Sequence, residues 1–274
     1  MRIVEKIGNE TATRYVFCLN DDSIVEAAVF KHKNQFHLCV STQVGCPIGC
    51  IHCATTYSPV QYLRNLTIEE LTFIIKCALE EMPSRIDKVL SFSGHGEPSL
   101  NWNAVTVVSK IFQNEFQRFY VTTIGSKGWL EKIIEQAETN FIFYLSLHGS
   151  TDRERSLLIP NSIQLSSVKD LFCFANKYSS LGGEVVFNYM LHTGNSSLES
   201  LNKLLYLLSD LNHHITLRFT DYTPTGIKNG IVGLDNEKIQ RIIDYISGKR
   251  GLGDKWNFHY SLLEGYNIQI ACGQ

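Results

Sequence analysis

Stretches rich in β-branched and aromatic residues alternate with stretches of helical periodicity along most of this chain. Apolar residues recurring every three or four positions predict helices, and the short apolar runs between them predict buried strands. Repeated strand–helix units predict a parallel sheet covered by its own helices. With about six such units, the sequence predicts an α/β fold, a partial (β/α)6 TIM-like barrel whose site lies at the carboxyl ends of its strands. The predicted strands are Lys88–Ser93, Phe119–Thr123, Phe141–Leu147, Glu184–Leu191, Ile215–Thr220 and Trp256–Leu262, and the predicted helices are one opened by the capping box Thr67-x-x-Glu70, then Asn103–Phe112, Trp129–Ala137, Ser167–Tyr178, Leu198–Leu208 and Glu237–Ile246.

The first part of the chain is predicted to form a short β extension. Tyr15–Leu19 and Ile24–Lys31 flank a polar turn and indicate a hairpin, and Phe36–Thr42 indicates a third strand. We therefore expect an N-terminal β extension at residues 1–38 and a barrel domain at residues 39–274 that includes the C-terminal tail.

Composition sets modest limits on the class of protein. With 274 residues and 44% hydrophobic content, the chain can bury a core that needs no disulfide scaffold. Eight cysteines without a leading basic and apolar signal segment indicate a reducing compartment, and we expect the protein to be cytoplasmic. No apolar run approaches the roughly 20 residues that cross a bilayer. A formal net charge of −2 neither indicates nor excludes a nucleic-acid partner.

Three cysteines share one short segment, Cys46, Cys50 and Cys53, with Cys-x3-Cys-x2-Cys spacing. Structural zinc sites close with four ligands, and clusters that only carry electrons usually have four cysteine ligands. Three thiolates would leave one iron of a four-iron cluster without a protein ligand, which makes that iron a reaction site. The spacing resembles the radical S-adenosylmethionine (SAM) signature, which implies a [4Fe-4S] cluster and SAM as cofactors.

Polar motifs follow several predicted strands. The motif Gly94-His95-Gly96-Glu97-Pro98 follows the first barrel strand. Its glycines permit close approach of a ligand, and Glu97 could accept hydrogen bonds from an ammonium group of that ligand. Hydroxyls, an imidazole and a carboxylate at later strand ends could hold the ribose and carboxylate of a nucleoside cofactor. The candidate cofactor-binding residues are Gly96, Glu97, Thr122, Ser146, Leu147, His148 and Asp221.

Two further cysteines indicate which kind of radical SAM protein the sequence resembles. Cys39 lies just before the cysteine run, and Cys272 lies in the tail Ala271-Cys272-Gly273-Gln274. At these residues the chain resembles the RlmN/Cfr family of radical SAM methyl synthases, which methylate adenine carbons in RNA. The similarity extends through Val25-Glu26, Cys39, the cysteine run, Arg64–Thr67, Gly96–Pro98 with Asn101, Ser146–His148, Arg155 with Leu158–Pro160, Asn195-Ser196 and the tail.

The resemblance implies a two-stage use of SAM. One SAM methylates the Cys272 thiolate, and a second, cleaved at the cluster, yields a radical that takes hydrogen from the S-methyl group. The resulting methylene radical adds to an adenine carbon, which is too poor a nucleophile to attack a sulfonium itself. Cys39 then releases the product by forming a disulfide with Cys272, and Glu26 matches the proposed proton acceptor. The implied partners are rRNA or tRNA and an electron donor of the flavodoxin or ferredoxin type; we expect a monomer and no membrane partner.

The chain departs from the family's pattern at several positions. The family's separate N-terminal helical domain, which helps to grip RNA, is not expected, because only 25 residues precede Glu26. Asp221 stands where the family has Asn, and a carboxylate there would repel the SAM carboxylate. Thr122 replaces Ser, Gly149 replaces another small residue, and His95 replaces Met.

Two alternative functions remain open at this point. One is the same methyl-cysteine chemistry on a small molecule, nucleotide or peptide. The other is a non-catalytic iron–sulfur redox sensor, which would not cleave SAM. We interpret the remaining cysteines with no matching surroundings, Cys18, Cys77 and Cys173, as packing residues.

Overall fold

The computed structural model of the protein describes residues 1–9, 11–32, 34–58, 62–83, 87–136, 140–160, 165–213, 215–222, 224, 229–251 and 255–261. Within these residues the chain forms two compact units. The first contains Met1–Gly49 and Cys53–Thr123, and the second contains Cys50–His52 and the chain from Ile124 onward.

The sheet of the first unit changes from antiparallel to parallel pairing. Its first four strands pair in sequence order and antiparallel, and the fourth then pairs parallel with β7, which pairs parallel with β8. The strands are β1 (Arg2–Gly8), β2 (Ala12–Cys18), β3 (Ile24–His32), β4 (Gln35–Val40), the small separate pair β5 (Gln43–Val44) and β6 (Arg64–Asn65), then β7 (Lys88–Phe92) and β8 (Arg118–Thr123); the helices are α1 (Ala54–Tyr57), α2 (Ile68–Leu79) and α3 (Trp102–Ile111).

The second unit consists of parallel strands connected by helices. Each strand pairs with the next one in the chain, in the order β9, β10, β11 and β12. Its elements are α4 (Trp129–Gln136), β9 (Phe141–Ser146), α5 (Asp152–Leu158), α6 (Val168–Ser180), β10 (Glu184–Leu191), α7 (Leu198–Ser209), β11 (Ile215–Asp221), α8 (Asn236–Lys249) and β12 (Trp256–Ser261). Parallel connections of this kind place the carboxyl ends of the strands at one edge of the sheet.

Aromatic side chains fill the core between the strands and helices of the second unit. Phe143 on β9 packs edge-on against Tyr178 on α6, with ring centroids 5.0 Å apart. The Tyr178 hydroxyl, which is fully buried, donates a hydrogen bond to the Phe141 carbonyl at 2.8 Å. Phe172 of α6 stacks on Phe187 of β10 at 4.5 Å. These contacts fix α6 across the first two strands of this unit and leave their carboxyl ends open.

The six barrel strands and the helices predicted from periodicity all occur, mostly within two residues of their predicted ends. The sequence did not predict strand β1, because apolar and polar residues do not alternate along it. In the structure every residue of this strand is exposed. Leu262, the predicted end of the last strand, lies outside the described residues. Among the described residues, no helix is long and apolar enough to cross a membrane.

Strand β4 connects the N-terminal hairpins to the parallel strands. It pairs antiparallel with β3 on one side and parallel with β7 on the other. The proposed domain boundary after residue 38 falls within this strand, so the extension and the barrel domain would share it. The division into residues 1–38 and 39–274 therefore stays a prediction.

Helix α2, which follows the cysteine run, begins at the capping box that the sequence predicts. The Thr67 hydroxyl accepts a hydrogen bond from the Glu70 amide at 3.2 Å, and the Glu70 carboxylate accepts one from the Thr67 amide at 2.9 Å. The same carboxylate forms two hydrogen bonds of 2.8 Å with the Arg64 guanidinium. Leu71 and Ile75 on the inner face of the helix are fully buried.

We expect Thr67→Ala to lower the free energy of unfolding by about 1 kcal/mol, because it removes the hydroxyl half of the capping box. The matched control is Thr72→Ala in the same helix, where the side chain is half-buried and makes no capping bond, with an expected change within about 0.5 kcal/mol. Urea denaturation monitored by circular dichroism measures both. Equal effects of the two substitutions would contradict the capping role.

Candidate functional site

The cysteine run forms an irregular loop whose backbone needs glycine. Gly45 and Gly49 have φ angles of 72° and 71°, in the left-handed region that glycine adopts without strain. They directly precede Cys46 and Cys50 and allow the chain to turn at each. All three thiols of the run are half-buried.

The environment of Cys46 disfavours a free thiolate. Burial is the largest cause and raises the pKa of the Cys46 thiol to about 12, and the nearby Glu97 carboxylate and Cys53 thiol raise it further. A bound metal would reverse this preference, since metals bind cysteine as the thiolate. Within the described parts of the chain, no three His, Cys, Asp or Glu side chains are grouped closely enough to hold a metal ion. The donor chemistry, three shielded thiols in one loop, fits an iron–sulfur cluster, in which each thiolate binds a different iron.

The turn after β7 holds the Glu97 carboxylate in a defined place. Gly96 has a φ of 103°, and a Cβ atom there would lie 2.7 Å from the Gln43 side chain. The Glu97 amide donates to Gln43 Oε1 at 2.8 Å. Oε1 of Glu97 accepts hydrogen bonds from the Ser99 amide at 3.1 Å and from the Thr123 hydroxyl. Glu97 is only 3% exposed, so its charge is buried with polar partners around it.

Asn101 secures the loop on the other side of this turn. Its amide group donates to the carbonyls of Thr42 and Leu66 at 2.8 and 2.9 Å. The Thr42 hydroxyl is buried and has no hydrogen-bond partner among the described residues. Buried polar groups rarely stay unsatisfied, so this hydroxyl is a candidate contact for a polar group of a ligand.

Cys39 and Glu26 lie on one face of the first unit's sheet. Cys39 is opposite Ala28 in the β3–β4 pair and Ser91 in the β4–β7 pair, and Glu26 lies two residues from Ala28 on β3. Side chains two apart on a strand share a face. This face therefore carries a thiol, a carboxylate and a hydroxyl, although sheet faces packed on a core are usually apolar.

Two basic side chains flank the Glu26 carboxylate. Arg14 Nη1 lies 3.8 Å from Oε1, and His95 Nε2 lies 4.0 Å from Oε2. Burial lowers the pKa of His95, and the Arg14 charge lowers it further, while Glu26 opposes both. His95 is therefore mostly neutral at pH 7. It occupies the position at which this chain departs from the resembled family.

In the second unit, His148 follows β9 in a strained conformation. Its φ is 51°, which is uncommon for a residue with a side chain. Nδ1 of the ring accepts a hydrogen bond from the Met190 amide at 3.0 Å, so a neutral ring carries its proton on Nε2. Burial lowers the pKa of His148 well below its usual value, and the nearby His52 and Arg155 lower it further.

Asn195 secures this conformation. Its amide group donates to the carbonyls of His148 and Met190 at 2.9 and 2.7 Å, and its side-chain oxygen accepts from the His192 amide at 3.0 Å. Asn195 is 1% exposed, so water cannot replace these bonds. Asn195, one of the residues at which the sequence resembles the family, thus stabilises the loop that carries His148.

Two further histidines were not among the expected site residues. The His52 ring lies edge-on to that of His148 with centroids 5.2 Å apart, and burial lowers the His52 pKa to about 4. His192 Nδ1 accepts from the Gly194 amide at 3.1 Å. Nδ1 of His52 and Nε2 of His192 are buried and have no hydrogen-bond partner in the part of the chain that the structure describes. The position of His52 inside the cysteine run was the one sequence signal that could have identified either of them.

The other expected cofactor contacts of this unit also lie at strand ends. Ser146 is the last residue of β9, and buried Leu147 follows it. Asp221 is the last residue of β11, and its carboxylate accepts a hydrogen bond from the Tyr260 hydroxyl on β12. The pKa of Tyr260 is raised by burial and by this bond.

Two expected residues lie elsewhere. Thr122, in the first unit, is half-buried within β8, beside the Thr123 that binds Glu97. Cys272 lies outside the described residues. Of the cysteines expected to be packing residues, Cys18 is buried and Cys77 half-buried, but Cys173 is exposed, so that prediction was wrong for Cys173. Helical periodicity placed it on α6 without revealing that it lies beside the buried stripe.

We expect Asn195→Ala to lower the free energy of unfolding by about 2 kcal/mol, since two buried carbonyls and one amide lose their partner. Asn202→Ala on the exposed side of α7 is the matched control, with an expected change within about 0.5 kcal/mol. Chemical denaturation of both variants measures the difference. A loss at Asn195 no larger than that at Asn202 would contradict the supporting role.

Comparison with known proteins agrees with this architecture. The chain is 34% identical to a probable dual-specificity RNA methyltransferase RlmN of Clostridium botulinum over 79% of its own length and 65% of that protein. It is 29% identical to the corresponding Thermotoga neapolitana protein over 96% of its length and 75% of that protein. The chain thus spans slightly less than two thirds of the Clostridium relative. A radical SAM methyltransferase from Sphaerobacter thermophilus has a similar fold, with a TM-score of 0.85 and 25% identity over 100% of this chain and 80% of that one.

The family model of the radical SAM superfamily matches residues 40–205, more than half of the chain. Its matched region begins at the end of β4 and includes the cysteine run, the Glu97 turn and the His148 loop. The expected α/β fold of the radical SAM type is confirmed, as are its expected cofactors, a [4Fe-4S] cluster and SAM. The chain therefore belongs to the radical SAM superfamily.

Proposed function

We propose that the protein is a radical SAM methyl synthase that methylates an adenine carbon of rRNA or tRNA through a methylated Cys272. The observation that carries this proposal is the similarity to RlmN methyltransferases, which extends over 79% of the chain at 34% identity. The similarity reaches well beyond the cysteine run that other radical SAM proteins share. The motifs that the sequence shares with this family also include Cys39 and Glu26, which in this fold lie on one face of a sheet.

In this proposal Cys46, Cys50 and Cys53 hold the cluster. When bound, the cluster supplies the electron that cleaves SAM, and SAM supplies both the radical and the methyl group. The buried Glu97 carboxylate accepts the SAM ammonium group, and the Thr123 hydroxyl and Ser99 amide orient it. Gly96 lets this turn, and with it Glu97, pack closely against Gln43, because a side chain there would collide with Gln43.

Strand-end residues of the second unit are proposed as further SAM contacts. Ser146 is proposed to contribute its hydroxyl and Leu147 an apolar contact, and His148 has Nε2–H as a donor because its Nδ1 is already occupied. The Tyr260 hydroxyl bonds to Asp221 and so reduces the repulsion expected between that carboxylate and SAM. Thr122 is proposed as a hydroxyl contact from the first unit.

The two lone cysteines and Glu26 carry the later steps. The Cys272 thiolate attacks the SAM methyl group; the new sulfur–carbon bond forms as the sulfonium–methyl bond breaks, and its electron pair stays on the departing thioether. After the methylene carbon joins the adenine carbon, the adduct would return one electron to the oxidised cluster, and Glu26 accepts the proton lost from the adenine carbon. The Cys39 thiolate then attacks the Cys272 sulfur. The disulfide bond forms as the bond from that sulfur to the methylene carbon breaks, and the methylene carbon keeps the electron pair and takes up a proton to become the methyl group. We further propose a cytoplasmic monomer supplied with electrons by a flavodoxin or ferredoxin.

We expect Cys50→Ala to abolish the four-iron cluster and the reductive cleavage of SAM, because three ligands leave no spare thiolate. The matched control, Cys173→Ala, removes an exposed thiol outside the run and should retain both. Iron and sulfide analysis after anaerobic reconstitution, with chromatography of 5′-deoxyadenosine, measures them. Production of 5′-deoxyadenosine by the Cys50→Ala protein would refute this ligand set.

Removal of the two lone cysteines should stop the reaction at different points. Cys272→Ala should carry no methyl group, whereas Cys39→Ala should load the methyl group and then accumulate a covalent protein–RNA adduct. Cys77→Ala, a half-buried helix thiol, serves as the control with unchanged turnover. Intact-protein mass spectrometry distinguishes the three states. Equal residual turnover in the Cys39 and Cys272 variants would exclude the two-cysteine mechanism.

The experiment that tests the substrate is methyl transfer from labelled SAM to RNA with a chemical reductant, followed by mapping of the modified base. We expect methyladenine in RNA and binding that weakens with salt, with a log–log slope of about −0.7 for each single-strand phosphate contact. Salt-independent methylation of a nucleotide or peptide, without inhibition by RNA, would replace the RNA assignment. A loaded cluster that never cleaves SAM would instead support the redox-sensor alternative.

A further inference from the structure

Arg155 is a fully buried cation in the second unit. Its side chain on α5 has 0% exposure. The guanidinium donates to four backbone carbonyls, those of Leu147 at 3.1 Å, Ser166 at 2.5 Å, Ile124 at 2.9 Å and Ser146 at 3.2 Å. These bonds use four of its five N–H donors, but carbonyl groups are neutral and leave its positive charge uncompensated.

The charged groups near Arg155 do not pair with it. Among the described residues no carboxylate forms an ion pair with the guanidinium. Asp152, on the same helix, accepts a hydrogen bond from the Val168 amide at 2.6 Å. Glu154 accepts from the Ser150 amide at 2.7 Å and from the Ser200 hydroxyl at 2.6 Å.

The other titratable neighbours of Arg155 are histidines and a cysteine. His148, from the loop after β9, is neutral and lies close enough to Arg155 for the cation to lower its pKa further. Burial lowers the pKa of Arg155 itself to about 10, and Asp152 and the Cys50 thiol are the two groups that oppose this change. At neutral pH the guanidinium therefore stays charged, and Cys50 of the cysteine run is one of the two groups close enough to affect it.

The helix that carries Arg155 is attached to the cysteine run. The Ile51 amide donates a hydrogen bond to the Leu158 carbonyl, at the end of α5, at 2.9 Å. The Ile51 carbonyl accepts another from the Asn229 side chain at 2.8 Å. The segment Cys50–His52 is thus held on both sides, directly beside the helix with the buried cation.

We propose that Arg155 is a positioning residue for the cluster, holding the strand-end loops in place while its buried charge favours the reduced cluster at Cys50. The proposal rests on the three-cysteine cluster site of the proposed function, and it does not depend on the substrate. Reduction adds one electron, and a nearby positive charge stabilises the added negative charge. Burial keeps this attraction from being screened by salt. Arg155 thereby raises the reduction potential of the cluster.

The test compares Arg155→Gln, Arg155→Lys and the matched control Arg153→Gln. Arg153 is on the same helix but exposed, so its substitution removes the same charge from a solvated position. The potential of the anaerobically reconstituted protein is measured by redox titration followed by electron paramagnetic resonance, without SAM or substrate. We expect Arg155→Gln to lower the reduction equilibrium constant at least tenfold, which is 59 mV for one electron, and Arg153→Gln to leave it unchanged.

The lysine variant separates charge from packing. A buried lysine has a lowered pKa, so the potential of Arg155→Lys should match the wild type at low pH and fall toward that of the glutamine variant as the lysine loses its proton. An unchanged potential in Arg155→Gln, or an equal shift in Arg153→Gln, would overturn the proposal. If the Arg155→Gln protein holds no cluster, the test uses the reduction potentials of Arg155→Lys and the wild type. A difference between these two potentials that does not change with pH would overturn the proposal. Failure of the wild-type protein to load a cluster would refute the proposed cluster site instead.

Discussion

Buried backbone carbonyls at the ends of parallel strands must find hydrogen-bond donors, and the site of this protein depends on how they do so. In the second unit Arg155 binds the carbonyls of Ser146 and Leu147, and Asn195 binds those of His148 and Met190. An unpaired buried carbonyl costs about 1 to 3 kcal/mol, so these side chains decide whether the loops after β9 and β10 can exist in this form. The same bonds hold His148 in its left-handed conformation.

In the first unit, amide side chains bind the buried backbone groups near the Glu97 turn. Gln43 accepts from the Glu97 amide, and Asn101 binds the carbonyls of Thr42 and Leu66. This network holds the backbone of the turn, and the Glu97 carboxylate in it accepts hydrogen bonds from the Thr123 hydroxyl and the Ser99 amide. Both units thus combine a rigid polar frame with a small number of groups that remain available to a ligand.

Much of the fold could be predicted because the signals are local. The capping box at Thr67 and the apolar runs of β9 and β10 each depend on a few neighbouring residues, and all three occur as predicted. The prediction failed where local signals are absent: β1 has no buried face, and Cys173 lies on an amphipathic helix whose exact orientation depends on packing. For the site, the Gly96-Glu97 motif was visible, but the burial of His52 and His192 was not, since only the position of His52 inside the cysteine run distinguishes either of them.

The sequence by itself determined the alternation of strands and helices, the three-cysteine run and the glycines of the Glu97 turn, because each depends on residue type and short spacing. Only the tertiary structure decided which ring nitrogen of His148 is occupied and that Arg155 is a buried cation without an ion pair. Those properties arise from partners far along the chain, such as Met190 for His148 and Ile124 for Arg155. Burial and charge compensation are set by packing between such distant segments, which residue spacing does not encode.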